Sequence, residues 1–111
     1  MKLEVGMYVR TETGQIGKIT NFDGAMARVD TDKFITYKDF NNEITKSSHN
    51  IIDLIEVGDY VNGLKVIDIV ENDIYISDYY AESYIGLVKV KDIKSIVTKE
   101  QFESMSYKAG D

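Results

Sequence analysis

The sequence contains no cysteine, no proline and no tryptophan, and only one histidine. Without cysteine there is no disulfide scaffold, no thiolate metal site and no thiol nucleophile. One histidine, even beside carboxylates, falls short of the usual His-rich metal site, so neither a metal nor a cofactor is expected. Long hydrophobic runs are missing as well. The opening MKLEVGMYVR carries no apolar secretion-signal core, and no stretch approaches the roughly 18 apolar residues of a membrane span. Positive charge is scarce: 13 Lys and Arg stand against 19 Asp and Glu, a formal net charge of −6. What remains is a core-forming share of apolar residues, 43% of 111. That is too many for a disordered chain and enough for one ordinary domain or two very small ones. The expectation is a soluble, cytoplasmic, globular protein with no membrane partner.

The apolar residues are of a particular kind. There are 14 Ile, 10 Val and 8 Tyr, types that suit a pleated, half-buried surface better than a helix. Short apolar runs alternate with glycine-containing turns. Met7 to Thr11, Gln15 to Phe22 and Ala25 to Thr31 are separated by Glu12-Thr13-Gly14 and Asp23-Gly24. The rhythm returns as Tyr60-Val61, Asn62-Gly63, Leu64 to Val70, Glu71-Asn72-Asp73 and Ile74 to Asp78. Asp-Gly and Asn-Gly between apolar runs are strong hairpin signals, because both central residues of a type I′ turn need positive φ. Ala27 and Val29 alternate with Met26, Arg28 and Asp30, and Ile74 and Ile76 with Tyr75 and Ser77. The pattern predicts an all-β meander.

The chain also reads as a repeat. Leu3-Glu4-Val5-Gly6-Met7-Tyr8-Val9 and Ile55-Glu56-Val57-Gly58-Asp59-Tyr60-Val61 agree at five of seven positions, 52 residues apart. Beyond the first turn the offset becomes 47, with Lys18-Ile19 meeting Lys65-Val66, Phe22 meeting Ile69, Ala27 meeting Ile74 and Val29 meeting Ile76. Near the ends, Asn50-Ile51-Ile52 corresponds to Ser95-Ile96-Val97. Each copy is of marginal size for a lone domain, and no Gly/Ser/Pro spacer divides them. The expected arrangement is residues 1–54 and 55–111 as two tandem small barrels packed together; a single intertwined β domain is the other arrangement open. Lys38 to Ser48 is polar and reads as a loop or one helical turn over the barrel mouth. Thr98-Lys99-Glu100-Gln101 has the form of a capping box. It predicts a short C-terminal helix over about 99–107, docked by Phe102.

Val5-Gly6-Met7-Tyr8-Val9-Arg10 through Gly14-Gln15-Ile16-Gly17-Lys18-Ile19 resembles the opening of KOW-type SH3-like barrels, in which a Gly-acidic-x-Val turn enters the first strand. Ile55 to Val61 fits that opening better, since Asp59 supplies the acidic residue that Met7 lacks, but it loses the second glycine afterwards. Over its whole length, above all at Ser48 to Gly63 and Ile93 to Glu103, the chain is similar to small uncharacterised proteins from phages and prophages of clostridia and related Firmicutes. The first resemblance implies SH3-like barrels. The second implies a mobile-element origin and brings no activity with it.

Three functional classes compete. For catalysis, Ser48 and His49 are the tempting pair, but neighbours on an extended chain point to opposite faces. His49 reads as a polar loop residue before the last strand of the first copy. Glu71-Asn72-Asp73 lacks the spacing of a calcium loop, and Gly14-x-x-Gly17 is a hairpin pattern rather than a phosphate cradle. No catalytic residue is assigned, and an enzyme is not expected. Nucleic-acid binding would need a positive face. Residues 1–50 carry seven basic and seven acidic side chains, and residues 51–111 carry six and twelve. Only a local patch of Arg10, Lys18, Arg28 and Lys38 would serve it. Protein binding is the expected role, with an unidentified protein partner and the chain itself a monomer or weak oligomer. The candidate site is the acidic, tyrosine-rich loop holding Tyr79, Tyr80 and Tyr84, with Tyr37 and Phe40 where the first copy would place its equivalent loop.

Overall fold

A computed structural model describes residues 2–39, 42–77 and 86–105. The chain is mostly β and divides into two compact units, Met1–Leu54 and Ile55–Asp111. The first holds β1 (Tyr8–Thr11), β2 (Ile16–Asp23), β3 (Met26–Asp30), β4 (Ile35–Asp39) and β5 (Ile44–Ser48), followed by a 3-10 turn at Ile51–Leu54. The second holds β6 (Tyr60–Val61), β7 (Leu64–Val70), β8 (Asp73–Ser77), β9 (Gly86–Lys89), a 3-10 turn at Val90–Asp92, β10 (Ile96–Val97) and the helix α1 (Lys99–Met105). Each unit is one antiparallel five-stranded sheet, ordered β4-β3-β2-β1-β5 and β10-β6-β7-β8-β9. A four-strand meander is thus completed by a last strand that returns to pair with the first. Among the described residues no ladder joins β4 to β5 or β9 to β10, so the sheets are open and not the closed barrels expected from sequence.

Residue by residue, the two ladders have the same register. In β2–β3, Lys18, Ile19, Asn21, Phe22 and Asp23 lie opposite Asp30, Val29, Arg28, Ala27 and Met26, with a bulge at Thr20. Adding 47 to every number gives the β7–β8 ladder, Lys65, Val66, Asp68, Ile69 and Val70 opposite Ser77, Ile76, Tyr75, Ile74 and Asp73, with its bulge at Ile67. The openings match in the same way at 52. Glu4 and Glu56 carbonyls accept from Met7 and Asp59 N–H, and the intervening glycines sit at φ 95° and 100°, as the third position of such a turn requires. Gly6 and Gly58 then donate to the Ile19 and Val66 carbonyls.

Burial follows the alternation read from the sequence. Val9, Ile19, Ala27, Val29 and Ile44 form the first core, with Leu3 and Phe22 packed against it. In the second unit Val61, Val66, Ile74, Ile76 and Val88 are buried. Each such Val or Ile contributes roughly 1.5–3 kcal/mol. Gly17 is needed where β2 crosses β3: a Cβ there would stand 2.6 Å from a Val29 methyl and 2.8 Å from the Asp30 carbonyl oxygen.

Three local expectations change. The described part of the polar Lys38–Ser48 segment is mostly strand: it supplies the end of β4 and all of β5, and among its described residues Ile44 is the one buried apolar side chain. A strand that buries one residue at its end leaves no alternating pattern to read. Consequently β5, not Ile51-Ile52, is the strand opposite β1, with Ser47 facing Val9, while Ile96 faces Val61 in the second unit. His49 therefore follows the last strand of its unit rather than preceding it. Asn62-Gly63 forms the expected turn with φ 52° and 82°. The Asp23-Gly24 hairpin instead turns one residue later: Asp23 pairs with Met26, so Gly24-Ala25 is the loop and only Gly24 has positive φ, 61°. That is the glycine-first two-residue turn.

Forty-seven residues on, the same position is Glu71, held at φ 56° without glycine's freedom. A left-handed conformation costs a non-glycine residue about 1–2 kcal/mol, partly offset by the greater unfolded-state entropy of glycine. Glu71→Gly should therefore raise stability by about 0.5–1 kcal/mol, read as a higher denaturant midpoint. Gly24→Ala should lower it by a similar amount.

The C-terminal helix is capped as its sequence predicts. Gln101 N–H donates to Thr98 Oγ1 at 3.3 Å, and Thr98 N–H donates to Gln101 Oε1 at 3.1 Å. Phe102 stacks on Tyr60, ring centroids 4.5 Å apart. The helix is described through Met105; the remainder of the expected 99–107 span lies outside the described residues.

Candidate functional site

Four of the five residues expected to bind a partner, Phe40, Tyr79, Tyr80 and Tyr84, lie outside the described residues. Tyr37 is described, and it stands within a strand rather than on a loop. It belongs to β4, an edge strand of the first sheet, with its side chain 53% exposed. Beside it the structure places two residues not singled out from sequence, Phe34 at 47% and Ile35 at 53% exposure. Three large apolar side chains are thus exposed within residues 34–37, Phe34 in the β3–β4 turn and Ile35 and Tyr37 on the edge strand, a concentration more informative than scattered single residues.

The β3–β4 turn presents them. Thr31 organises it: its N–H and hydroxyl both donate to the Phe34 carbonyl, at 2.9 and 2.8 Å, and its Oγ1 accepts from the Phe34 N–H at 3.0 Å. This side-chain-to-backbone closure is what threonine does at turns. It starts β4 at Ile35, which lies opposite Asp30, and Tyr37 lies opposite Arg28. Ala27 and Val29 occupy the core face of β3, so Ile35 and Tyr37 fall on the outer face with Arg28 and Asp30. A signal for the missed pair was present in Asp32-Lys33-Phe34-Ile35, where aromatic and β-branched residues directly follow a polar turn.

The proposed basic patch does not assemble. Arg10 is 1% exposed and donates from Nη1 to the Leu54 carbonyl at 2.9 Å, so it is an interior residue and not a phosphate ligand. Arg28 Nε lies 3.3 Å from Asp30 Oδ1, within ion-pairing range though not aligned as a hydrogen bond. Lys38 points to the core side beside Ala27 and reaches Glu43 at 3.5 Å. Lys18 is exposed, its ammonium 5.5 Å from the centre of the Tyr8 ring. Two cations of the second unit are likewise engaged. A hydrogen bond from Lys89 to Asp73 raises the pKa of Lys89 above its ordinary value, and one from Lys99 to Glu56 does the same for Lys99.

No protein-family model matches the chain, and no curated protein or solved structure is significantly similar to it. The reading of function therefore rests on geometry. Ser48 and His49 do not meet: Ser48 donates to Asp53 Oδ2 at 2.5 Å, and His49 Nε2 lies 3.3 Å from Glu4 Oε2. Among the described residues no group of three or more His, Asp or Glu side chains is placed to hold a metal ion. Asn62 is a well-connected surface side chain. Its amide donates to the Asp92 carbonyl at 3.0 Å, and its Oδ1 accepts from Lys94 and Ser95 N–H at 2.7 and 3.1 Å. These bonds tie the β6–β7 turn to the chain entering β10, a structural duty that explains asparagine at a left-handed position.

Proposed function

We propose that this chain is a non-enzymatic protein-binding module made of two SH3-like units that arose by duplication of a segment of about 50 residues. The common strand order, the ladders related by 47 and the openings related by 52 support the duplication. A meander whose last strand returns to its first supports the SH3-like reading in open form. An accessory role in a mobile element is the setting that the resemblance read from the sequence implies.

The observation that carries protein binding is the exposure of Phe34 in the β3–β4 turn together with Ile35 and Tyr37 on the edge strand β4. Aromatic anchors bring large contact area at little entropic cost. Electrostatics separate this from nucleic-acid binding. The net charge is −6, and of the four basic residues named for that role one is buried and two lie against carboxylates. Affinity purification from the native host should capture a protein partner, and Phe34→Ala/Tyr37→Ala should reduce that capture at least about tenfold while the circular-dichroism spectrum is unchanged. Undiminished capture would remove the surface from consideration. A salt-sensitive gel shift with random RNA or DNA at low micromolar protein would favour the nucleic-acid reading instead.

A further inference from the structure

We infer that Asn62-Gly63 is a deamidation site that the folded second unit holds shut, and that it reacts only when the chain entering β10 parts from the β6–β7 turn. Asn62 is the one asparagine of the sequence that glycine follows, and Gly63 has no Cβ to shield its nitrogen from the neighbouring side chain. The step is attack of the Gly63 backbone nitrogen on Asn62 Cγ. A bond forms between them, the Cγ–Nδ2 bond breaks, and ammonia leaves with the proton that Gly63 gave up. Water then opens the cyclic succinimide at either carbonyl, leaving aspartate or isoaspartate at position 62. Water has access, because an open recess lined by Asn62, Asp92, Lys94 and Ser95 lies beside the amide.

Two features of the fold keep the reacting atoms apart. The first is the turn itself. With φ 52° at Asn62 and 82° at Gly63, it is the mirror image of a type I turn, in which ψ of the first central residue is about 30°. That angle sets the Gly63 nitrogen nearly trans to the Asn62 Cβ, whereas ring closure needs the two eclipsed. The second is the side-chain clamp. Oδ1 accepts from Lys94 and Ser95 N–H, Nδ2 donates to the Asp92 carbonyl, and the Asn62 N–H donates to the Ser95 carbonyl at 3.0 Å. Bringing nitrogen and Cγ together therefore means breaking these bonds and moving the chain before β10 away. The ladder that holds it is short, Val61 with Ile96 and Tyr60 with Val97, of the kind that opens locally while the rest of a domain stays folded. The product does not fit the clamp. Aspartate at position 62 has no donor for the Asp92 carbonyl and sets an oxygen against it. Isoaspartate lengthens the backbone inside a two-residue turn. Either change favours the open junction, so the modification runs one way. The β1–β2 turn of the first unit, Glu12-Thr13-Gly14, contains no asparagine, which confines this ageing to the second unit.

Peptide mapping of the full chain after incubation at mildly alkaline pH tests the inference, reading the mass gain of deamidation and the isoaspartate content at residues 62–63. Unfolded in guanidinium chloride, the chain should react at Asn62 faster than at any other asparagine. In the folded chain the rate at Asn62 should be at least about tenfold lower, and it should climb with guanidinium below the unfolding midpoint, because it follows the population of the open form. Ile96→Ala removes the side chain opposite Val61 and leaves the dipeptide intact, so it should raise the rate under native conditions several-fold. Asn62→Asp, which installs one product directly, should lower the denaturant midpoint. Equal rates in the folded and unfolded chains would overturn the gating. An unfolded chain that shows no preference for Asn62 would overturn the site, and an Asn62→Asp chain with an unchanged midpoint would overturn the one-way effect. If Ile96→Ala does not fold, the guanidinium dependence of the wild-type rate decides the gating without any substitution.

Discussion

Asp59→Ala is expected to destabilise the second unit by about 3–4 kcal/mol, the cost of removing one side of a buried charged hydrogen-bond network. The Asp59 side chain is fully buried. Its Oδ2 accepts from the Glu56 N–H at 2.7 Å and its Oδ1 from the Lys99 N–H at 2.9 Å. One carboxylate therefore closes the turn that opens the unit and also satisfies a free N–H in the first turn of α1. Alanine leaves both donors without their acceptor, a mechanism in the large-effect class. Asp59→Asn has one acceptor oxygen for two donors and should lose about half as much. Denaturant midpoints measure both, and the helical circular-dichroism signal should fall with them because α1 loses its anchor. The first unit offers an internal comparison. Met7 occupies the position of Asp59 there, and its Sδ accepts from the Glu4 N–H at 3.2 Å, so the turn forms with a weaker acceptor and no helix to hold. An Asp59→Ala chain as stable as the wild type would sink this account.

How much of the fold is legible in the sequence depends on whether a residue's role is local. The turns at Gly6, Gly58 and Asn62-Gly63, the Thr98–Gln101 capping box and the Phe102 contact each rest on residues within a few positions or on a motif of fixed spacing. The offset of 47 between the hairpins is legible because identical spacing survives changes of residue. What escapes is non-local. β5 is polar, and nothing in Ile44-Thr45-Lys46-Ser47-Ser48 announces a strand until β1 is beside it. The Asp23-Gly24 signal locates a hairpin correctly and its loop one residue early, because the register of Asp23 with Met26 is set by core packing at Ile19 and Phe22. Tyr37 reads as a loop residue for the same reason, since β4 gains strand character only by pairing with β3. The tyrosine-rich segment around Tyr79 lies outside the described residues, so the surface on β4 stands out by its exposure rather than by a motif.

Arg10 is the clearest case of a charge whose meaning reverses on folding, and Arg10→Ala should cost about 3–5 kcal/mol. In sequence it sits in a mixed polar stretch and counts toward a basic patch. In the fold Val9 faces the apolar core, and yet Arg10, pointing the other way, is also buried. Both faces of β1 are therefore covered at this point. The guanidinium spans from β1 to the 3-10 turn and donates to the Leu54 carbonyl, whose residue is wholly inaccessible to solvent. Removing it leaves a cavity and an unsatisfied buried carbonyl, each costly by itself. Arg10→Met fills most of the space without the donors and should cost less, about 1.5–3 kcal/mol, which separates packing from hydrogen bonding. Arg10→Lys keeps the charge and loses the planar fork, so it should fall nearer to Met than to wild type. A solvent-exposed arginine offered to phosphate would behave otherwise: its replacement by alanine would shift stability by less than about 0.5 kcal/mol. The denaturant midpoint of Arg10→Ala thus decides between an interior strut and a surface ligand without any nucleic acid in the tube.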